Sequence, residues 1–336
     1  SIEFCLQKEH FYKIYISKLD KSIDTIVTST LNNLDSGIFV KQLQENNFKI
    51  INVMHGLSTS YGRIEDHDYY ECKAPDMTLC FNNSEKQMFK KVVPGALIHP
   101  ISIVQEAKKK RVRLLKRIIV NKMLKIKDDV NIFYPSNIYP YNNITVYGFR
   151  NSDKFNYEFE KKIISLSSSL NKRFVYKNYP KKCFVDSNPL INYAKNLTNI
   201  KVIDEMVYDR FNSSIGDIFI LGAIGSSSTL TWMLGEDKPI IFLYTNKFRF
   251  INTESKKVLE KCFIVVNIDK ENWDIDLINV LNKPLKDLVR IWKDKKTYRD
   301  KFDEEWLMGM NLHSGKLGAK FISNFYLNTI KLKKIR

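Results

Sequence analysis

Residues 217–244 read DIFILGAIGSSSTLTWMLGEDKPIIFLY, and this stretch decides the fold class. An apolar run at 217–221 is followed by small hydroxyl residues, by a helical pattern at 229–234, and by a second apolar run at 240–244. Continuous apolar runs of about four to eight residues are typical of buried strands, and strands that alternate with helices are typical of parallel sheets with crossover helices. The stretch therefore predicts an α/β fold.

The same alternation extends over the rest of the chain. Further strands are expected at 25–30, 49–54, 77–81, 96–99, 131–134, 174–177, 201–203 and 263–266. Ser84 is expected to cap the helix after the third of these strands. Because the alternation of strands and helices starts again after a basic helical segment, the chain is expected to hold two domains.

We expect two Rossmann-like domains that face each other across a cleft. The predicted parts are a first domain, a basic linker helix, a second domain, and C-terminal helices that pack back toward the first domain. Their expected bounds are 1–105, 106–128, 129–300 and 301–336. The chain starts close to a helix-like stretch, which leaves open that part of the first domain precedes Ser1.

The composition is typical of a folded protein of the cytoplasm. Hydrophobic residues make up 44% of the 336 residues and charged residues 27%. The longest apolar runs, such as 218–224, fall well short of the ~20 residues that a spanning helix needs. The five cysteines form no CxxC pair, which favours reduced thiols over disulfides or zinc ligands. No secretory signal is recognised, so a cytoplasmic location is expected.

Part of the net charge of +17 lies between Lys108 and Lys127, where the sequence reads KKKRVRLLKRIIVNKMLKIK. Apolar residues recur there at helical spacing with basic residues elsewhere, which predicts a basic amphipathic helix. Such a helix can lie on an anionic membrane surface, which would make the protein peripheral on the inner membrane. The alternative is a domain-connecting helix with a solvated basic face. Nucleic acid is not an expected partner, because the aromatic residues form no stacking motif.

A run of hydroxyl residues separates the strand at 217–221 from the helix that follows. Ligands of open α/β sheets bind at the carboxyl ends of strands, and helix N-termini there attract phosphate. The run holds more hydroxyl groups than one helix cap requires, although ordinary capping by one serine is the alternative. Four residues are therefore expected to bind the phosphate of a nucleotide: Ser226, Ser227, Ser228 and Thr229.

His55 follows the expected strand at 49–54, again at a carboxyl end. An imidazole there can act as a general base near neutral pH, or it can be structural. Downstream, Asp66 and Asp68 lie in the acidic segment GRIEDHDYYE and are alternative bases. This segment can also be read as a metal site, although a solvated acidic loop is the commoner outcome and no zinc spacing is present. His55, Asp66 and Asp68 are the expected catalytic residues.

Two further strand ends carry candidate ligands. Lys177 and Tyr179 lie in KNYPKK, where cations and a phenol can bind a phosphate, and a loop of solvated lysines is the alternative. Ser136 follows the strand at 131–134 and is expected to face the same cleft.

Several catalytic motifs are missing from the sequence. It contains no P-loop, no GxGxxG and no GxSxG, which removes the usual anchors of ATPases, dinucleotide-dependent dehydrogenases and serine hydrolases. Two DxD triplets, at 66–68 and 274–276, do not directly follow an expected strand. A metal is therefore not expected, and neither is a cofactor other than a nucleotide-activated co-substrate.

The ordered set of strand–HG, strand–YPS, strand–KxYP and GSSSTLTWMLGEDKPIIF resembles the GT-B glycosyltransferases of surface-polysaccharide assembly. The most similar groups are the Kdo and sialic-acid transferases of capsule and lipopolysaccharide synthesis, with the CDP-glycerol glycerophosphotransferases as structural relatives. The resemblance covers residues 25–325 through short motifs.

The resemblance implies roles for individual residues. The serines at 226–228 match the family's serine pair on the donor phosphate, and Lys177 and Tyr179 stand where the family has a KxHP segment at the nucleotide phosphate. A tyrosine here replaces the histidine. The glutamate that the family places near the ribose is replaced by Thr231 or Trp232, which leaves the nucleotide identity open.

The resemblance also implies a reaction. We expect a metal-independent glycosyltransferase that moves a sugar of the Kdo or sialic-acid type from a CMP-activated donor to a growing bacterial surface polysaccharide. His55 would act as base or hold the acceptor, which is a glycan or lipid-linked glycan. The alternatives are a CDP-alditol phosphotransferase or a UDP-sugar glycosyltransferase of the same fold, and a non-enzymatic module that binds polyanions.

Overall fold

The computed structural model describes most of the chain, in segments separated by gaps. The described residues are 2–20, 22–29, 31, 34–54, 72–101, 115, 117–119, 121–122, 130–136, 153–178, 188–204, 213–222, 229–245, 253–307 and 314–335.

Strands and helices alternate along the described part of the chain. The strands are β1 (Thr25–Ser29), β2 (Lys49–Val53), β3 (Met77–Cys80), β4 (Ile98–Pro100), β5 (Asn131–Pro135), β6 (Arg173–Lys177), β7 (Ile200–Ile203), β8 (Ile218–Leu221), β9 (Ile240–Tyr244) and β10 (Ile264–Asn267). The helices are α1 (Ile2–Ser17), α2 (Leu34–Glu45), α3 (Asn83–Val92), α4 (Asp153–Ser168), α5 (Leu190–Lys195), α6 (Thr229–Gly235), α7 (Thr253–Cys262), α8 (Trp273–Asn282), α9 (Leu285–Asp294), α10 (Lys296–Phe302) and α11 (Ser314–Ile335).

The chain divides into two compact units. Ser1–Gln105 and Asp303–Arg336 form the first unit, and Glu106–Phe302 forms the second. Each unit is built on one sheet whose described pairings are all parallel. The prediction of an α/β protein with two parallel-sheet domains is confirmed.

The sheet of the first unit has the strand order β1-β2-β3-β4. Its central strands, β2 and β3, are buried on both faces, which is the pattern expected of a parallel sheet covered on both sides. One apolar cluster packs Ile50 of β2 against α1 and α2, through residues such as Ile16 and Val40. A separate cluster packs Phe321 and Phe325 of α11 against Ile51, Met77 and Leu79. The helix nearest the end of the chain therefore belongs to the core of the first unit.

The cap of α3 differs from the expectation. Asn82, not Ser84, occupies the N-cap in an extended conformation, and its side chain accepts a hydrogen bond from the amide of Glu85 at 2.8 Å. The Glu85 carboxylate, which is fully buried, accepts from the amide of Phe81 at 2.7 Å. The Ser84 hydroxyl instead donates to the carbonyl of Glu305 at 2.6 Å. An amide side chain with a glutamate three residues later satisfies more of the open backbone donors than the serine could.

The sheet of the second unit has the strand order β10-β9-β8-β5-β6-β7. The chain runs outward from β5 through β6 to β7, and then returns to the other side of β5 to build β8, β9 and β10. This reversal is the switch point at which open parallel sheets bind ligands. The apolar interior of the unit packs the strands against α4, α5 and α8, through side chains such as Ile163, Leu190 and Leu277.

The amino end of β8 depends on a glycine. A Cβ atom on Gly216 would lie 2.8 Å from Cβ of Phe133 and 2.9 Å from Cε1 of Phe219. Cβ of Phe133 is fixed to the backbone of β5 and cannot yield without moving the strand, so only glycine fits. This close approach brings the first residues of β5 and β8 together.

Two buried cysteines lie at the ends of elements. Cys80 ends β3, and Cys262 ends α7. Burial raises the pKa of the Cys262 thiol to about 12, which keeps it protonated and unreactive at neutral pH. Cys183 lies outside the described residues.

Candidate functional site

The carboxyl edge of the six-stranded sheet gathers several residues that the sequence placed at strand ends. Pro135 of β5 pairs with Lys177 of β6, and Lys177 pairs with Ile203 of β7, so the three strands end in one row. Ser136 follows directly, and its amide donates to the carbonyl of Lys177 at 2.8 Å. Ser136 and Lys177 are thus neighbours beside the switch point between β5 and β8.

A buried carboxylate, that of Glu160 on α4, lies at the centre of this edge. It is fully buried and accepts three hydroxyl groups: Tyr134 at 3.2 Å, Ser136 at 3.1 Å and Tyr176 at 2.7 Å. Burying a carboxylate is costly unless hydrogen bonds compensate for the lost water, and these hydroxyls provide them. Glu160 therefore fastens the ends of β5 and β6 to helix α4.

Asn188, just before α5, extends the network toward β7. Its amide nitrogen donates to the hydroxyl oxygens of Tyr176 at 2.7 Å and Ser136 at 3.1 Å, and to the side-chain oxygen of Asn178 at 3.1 Å. Its side-chain oxygen accepts from the amide of Leu190 at 2.9 Å and so closes the turn into α5. We call the set of Tyr134, Ser136, Glu160, Tyr176, Asn178 and Asn188 the Glu160 network.

The two tyrosines of the Glu160 network stay protonated. Burial raises the pKa of Tyr134 and of Tyr176 well above the usual value, and the Glu160 carboxylate raises both further. Each phenol can therefore only share its proton, not release it, at physiological pH. Their chemical role is to hold the carboxylate in place rather than to act as bases.

Lys177 brings an ammonium group into this interior. The side chain is 1% exposed, and its Nζ donates to the carbonyl of Asn178 at 2.7 Å. Asn178 in turn donates through its amide nitrogen to Asp204, after β7, at 2.8 Å. The solvated lysine loop considered as an alternative does not describe Lys177 itself.

The structure describes only some of the other residues that are expected to bind the nucleotide in this unit. Thr229 opens α6 and is half-buried. Ser226, Ser227 and Ser228, as well as Tyr179, lie outside the described residues. Chain connectivity alone attaches the serine run to the carboxyl end of β8, the strand next to β5. Contact of any of these residues with a nucleotide stays a prediction.

The catalytic residues expected in the first unit, His55, Asp66 and Asp68, also lie outside the described residues. The strand before them ends at the expected edge, because the amide of Met54 donates to the carbonyl of Leu79 on β3 at 3.0 Å. His55 is the next residue in the chain. Its role, and those of the two aspartates, stay predictions.

The second DxD triplet has a structural partner. Asp274, in the first turn of α8, forms an ion pair with Lys162 of α4 at 2.8 Å, and that contact lowers the pKa of Asp274. Asp276 lies 3.8 Å from Lys270. No group of three histidine, cysteine, aspartate or glutamate side chains that could hold a metal ion is found among the described residues.

Solved structures with the same architecture cover nearly the whole chain. Sucrose-phosphate synthase from Thermosynechococcus elongatus matches with a TM-score of 0.58 and 11% identity, over 97% of this chain and 79% of that one. MnaA of S. aureus, solved with UDP, matches with a TM-score of 0.59 and 12% identity, over 97% and 81%. The UDP-GlcNAc 2-epimerase of Methanocaldococcus jannaschii, solved with UDP-GlcNAc and UDP, matches with a TM-score of 0.57 and 11% identity, over 95% and 80%.

The chain has the GT-B fold. No protein-family model and no curated protein matches its sequence. Since identities of 11–12% show the fold alone, the activity of this GT-B protein has to be argued from its own residues. None of the helices that the structure describes is both long enough and apolar enough to span a bilayer.

Sequence reasoning missed the central residue of the site, although a signal was present. At 100° per residue, Glu160 falls on the helical face of α4 between Ile163 and Ile164, both fully buried. A carboxylate within an apolar arc requires buried partners, which indicates an internal polar network. Asn188 carried a weaker signal, because Asn followed by Pro favours a turn.

Proposed function

We propose that this GT-B protein is a glycosyltransferase that binds a nucleotide-activated sugar at the carboxyl edge of its six-stranded sheet. The observation that carries the proposal is the Glu160 network, with Lys177 beside it, at the switch point of the sheet. Side-chain-to-side-chain hydrogen bonds are a small fraction of those in proteins, and a buried cluster of them beside an ammonium group is a costly arrangement. Such a cluster is typical of a site whose groups must be held in fixed positions.

Two lines of support bear on the donor. The sequence motifs resemble those of transferases that use CMP-activated Kdo or sialic acid. Solved structures of the same fold hold UDP or UDP-GlcNAc, which favours a UDP-sugar at least as much. We therefore propose a pyrimidine nucleotide as the carrier of the sugar. The binding experiment below distinguishes CMP from UDP.

The chemistry follows from the charge that develops in the reaction. As the sugar leaves, the nucleotide phosphate gains negative charge, and the Lys177 ammonium with the hydroxyl run at 226–229 would stabilise that leaving group. A base from the first unit, His55 or one of Asp66 and Asp68, would remove the proton of the acceptor hydroxyl. The acceptor we propose is a glycan, free or lipid-linked, of a bacterial surface polysaccharide. With such an acceptor, we propose that the protein works in the cytoplasm at the inner membrane surface.

The test measures nucleotide binding by the shift in melting temperature. A ligand that binds only the folded protein raises that temperature by mass action. We expect a shift with CMP or with UDP and none with GDP or ADP. A shift with CMP alone supports a keto-sugar donor, and one with UDP supports a UDP-sugar. No shift with any nucleotide, in a folded sample, would overturn the proposal.

Two lysines at opposite ends of β6 provide a matched control. Lys177→Met removes the ammonium at the carboxyl edge and should abolish the nucleotide-induced shift. Lys172 lies before β6, at the amino edge, where its Nζ donates to the carbonyl of Lys283 at 2.6 Å. Lys172→Met should lower the melting temperature and leave the nucleotide-induced shift intact. Equal loss of the shift in both variants would mean that the site depends on general stability.

Product analysis separates a transferase from other activities. A transferase releases the nucleotide only when an acceptor is present, whereas an epimerase returns a nucleotide-sugar. A polyanion-binding module would bind any of several polyanions in a strongly salt-sensitive way and would turn over none of the donors. Nucleotide release that depends on acceptor supports the proposal, and either of the other two results contradicts it.

A further inference from the structure

The helical residues at 115–122 of the second unit turn apolar side chains toward solvent. Leu115, Ile118 and Ile119 are helical, and their exposed fractions are 60%, 57% and 46%. At 100° per residue, the first and the last of them lie about 40° apart around the helix, with Ile118 on the same side. We call these three side chains the outward ridge.

An ion pair on the opposite side of this helix fixes its orientation. Arg117 lies about 160° from both Leu115 and Ile119. Its two terminal nitrogens donate to the two carboxylate oxygens of Asp217, at 2.5 and 3.1 Å, and both side chains are largely buried, with 19% and 14% exposed. The same carboxylate accepts from the amide of Asn131 at 3.0 Å. The helix is therefore fastened to the amino edge of the six-stranded sheet by a bidentate contact.

This orientation is the reverse of that in an ordinary surface helix. A helix that only connects domains in water buries its apolar stripe and exposes its basic residues. Here Arg117 points inward, and the three apolar side chains that the structure describes on this helix point outward. A connecting helix that buries its apolar stripe therefore does not describe Arg117 and the outward ridge.

The surrounding charge indicates what covers the outward ridge. Residues 108–127 contain ten basic residues and no acidic ones. Of these, Arg117 is used internally and Lys122 is exposed next to the ridge. Exposed apolar side chains within a sequence segment rich in lysine and arginine match the chemistry of an anionic bilayer, where apolar groups meet the acyl boundary and cations meet the headgroups. A protein partner would need a strongly acidic surface with an apolar centre.

We propose that the outward ridge docks on anionic lipid bilayers. Membrane attachment of the protein is thereby assigned to three residues on one helix of the second unit. The Arg117–Asp217 contact holds the helix at the amino edge of the sheet, so the proposed donor site at the carboxyl edge lies at the other end of the same strands. The docking proposal rests on the exposure of the ridge and the charge of its segment, and it does not depend on the identity of the donor.

Vesicle sedimentation tests this docking surface. The whole protein is mixed with vesicles of phosphatidylcholine alone, or of phosphatidylcholine with phosphatidylglycerol. We expect binding to the anionic vesicles, weakened by salt, and little binding to the neutral ones. In a combined variant with Leu115→Ser, Ile118→Ser and Ile119→Ser, the affinity for the anionic vesicles should fall at least about tenfold.

Helix α1 offers a matched control. Its side chains Phe11, Ile14 and Tyr15 are similarly exposed, at 58%, 47% and 51%, but α1 carries balanced charge. Replacing these three by serine should leave vesicle binding unchanged. Folding of both variants is checked by their melting temperatures, and the nucleotide-induced shift without vesicles shows separately whether the donor site is intact.

Three results would overturn the docking proposal. The first is that the wild-type protein does not bind anionic vesicles at low salt, or that it binds neutral vesicles equally well. Another is unchanged vesicle binding by the ridge variant. The third is a wild-type dimer, seen by analytical ultracentrifugation, that becomes a monomer in the ridge variant, which would make the ridge a contact between copies of the chain.

Discussion

Two buried glutamates, one in each unit, show how differently the same group can be used. Glu85 and Glu160 are both fully buried, and both lie near the carboxyl edge of a parallel sheet. Glu85 accepts from a backbone amide and completes a helix cap. Glu160 accepts from the hydroxyls of three side chains, two on strands β5 and β6 and one directly after β5.

The difference teaches where function can be sought. A carboxylate that satisfies the backbone solves a problem created by folding, since helix starts leave amides without partners. A carboxylate that binds other side chains solves no such problem, because hydrophobic residues of similar size could fill the space. The first unit therefore uses its buried acid to complete a helix cap, while the second unit maintains a buried polar cluster of the kind that our proposal places at a ligand site.

The largest expected effect is on kcat, and it tests whether the first unit supplies the base while the second unit binds the donor. His55→Ala should lower kcat about 100-fold to 10,000-fold, because a positioned general base contributes that much, and should leave donor affinity unchanged. His99→Phe, in the same unit, should leave kcat unchanged. Steady-state kinetics with nucleotide binding measured in parallel check this. A normal kcat for His55→Ala would remove that residue from the proposed mechanism.

The second prediction compares the two glutamates directly. Glu160→Gln should lower the free energy of unfolding by about 2–3 kcal/mol, since the amide nitrogen cannot accept the hydroxyls that bind there, and should weaken nucleotide binding at least about tenfold. Glu85→Gln keeps an oxygen for the Phe81 amide and should cost about 1 kcal/mol with nucleotide affinity unchanged. Urea denaturation and calorimetric titration measure both. If Glu160→Gln and Glu85→Gln changed nucleotide affinity equally, the proposed difference between the two glutamates would be wrong.

The serine run supplies a smaller effect. Ser227→Ala combined with Ser228→Ala should weaken donor binding about tenfold, by the loss of hydrogen bonds to a charged phosphate, and should leave the melting temperature unchanged. Unchanged donor affinity would place the phosphate elsewhere on the sheet edge. Calorimetric titration with the nucleotide found by the binding test gives the answer.

The smallest effect concerns pH and the first unit alone. His99 stacks on Phe321 of α11 at 4.2 Å, and burial, with Lys86 and Lys90 nearby, lowers its pKa from the usual 6.5. The unfolded chain then binds a proton more readily than the folded one, so stability falls as pH drops below about 6.5. His99→Phe should keep the stack and reduce this loss. Urea midpoints at pH 7.5 and 5.5 would show it, and an identical pH dependence in the variant would contradict it.

The sequence predicted strands better than it predicted helices at the surface. β9 was expected at its observed bounds, because a continuous apolar run after a proline leaves little freedom in placing a buried strand. α7 was missed. Its sequence TESKKVLEKC is mostly polar, and the few apolar side chains it buries, such as Leu259 and Cys262, are too few to show a helical period.

For the candidate site, the sequence pointed only to residues at or directly after the ends of strands. The sequence placed Ser136 and Lys177 at this edge because the carboxyl ends of parallel strands meet there. Glu160 was missed because it comes from a helix, surrounded in sequence by other charged residues that suggest a solvated face. Residues that reach a strand end from a covering helix become visible only when the helical faces are assigned first.

The place of α11 in the core of the first unit has a consequence for synthesis. On the ribosome, residues 1–105 emerge first, but the helix that covers β2 and β3 is made only after the whole second unit. At about 5–20 residues per second, the first sheet waits roughly 10–50 s for Phe321 and Phe325. The second unit can finish folding during that time. The N-terminal unit is thus the last to mature, and its apolar sheet face is where a chaperone would bind the nascent chain.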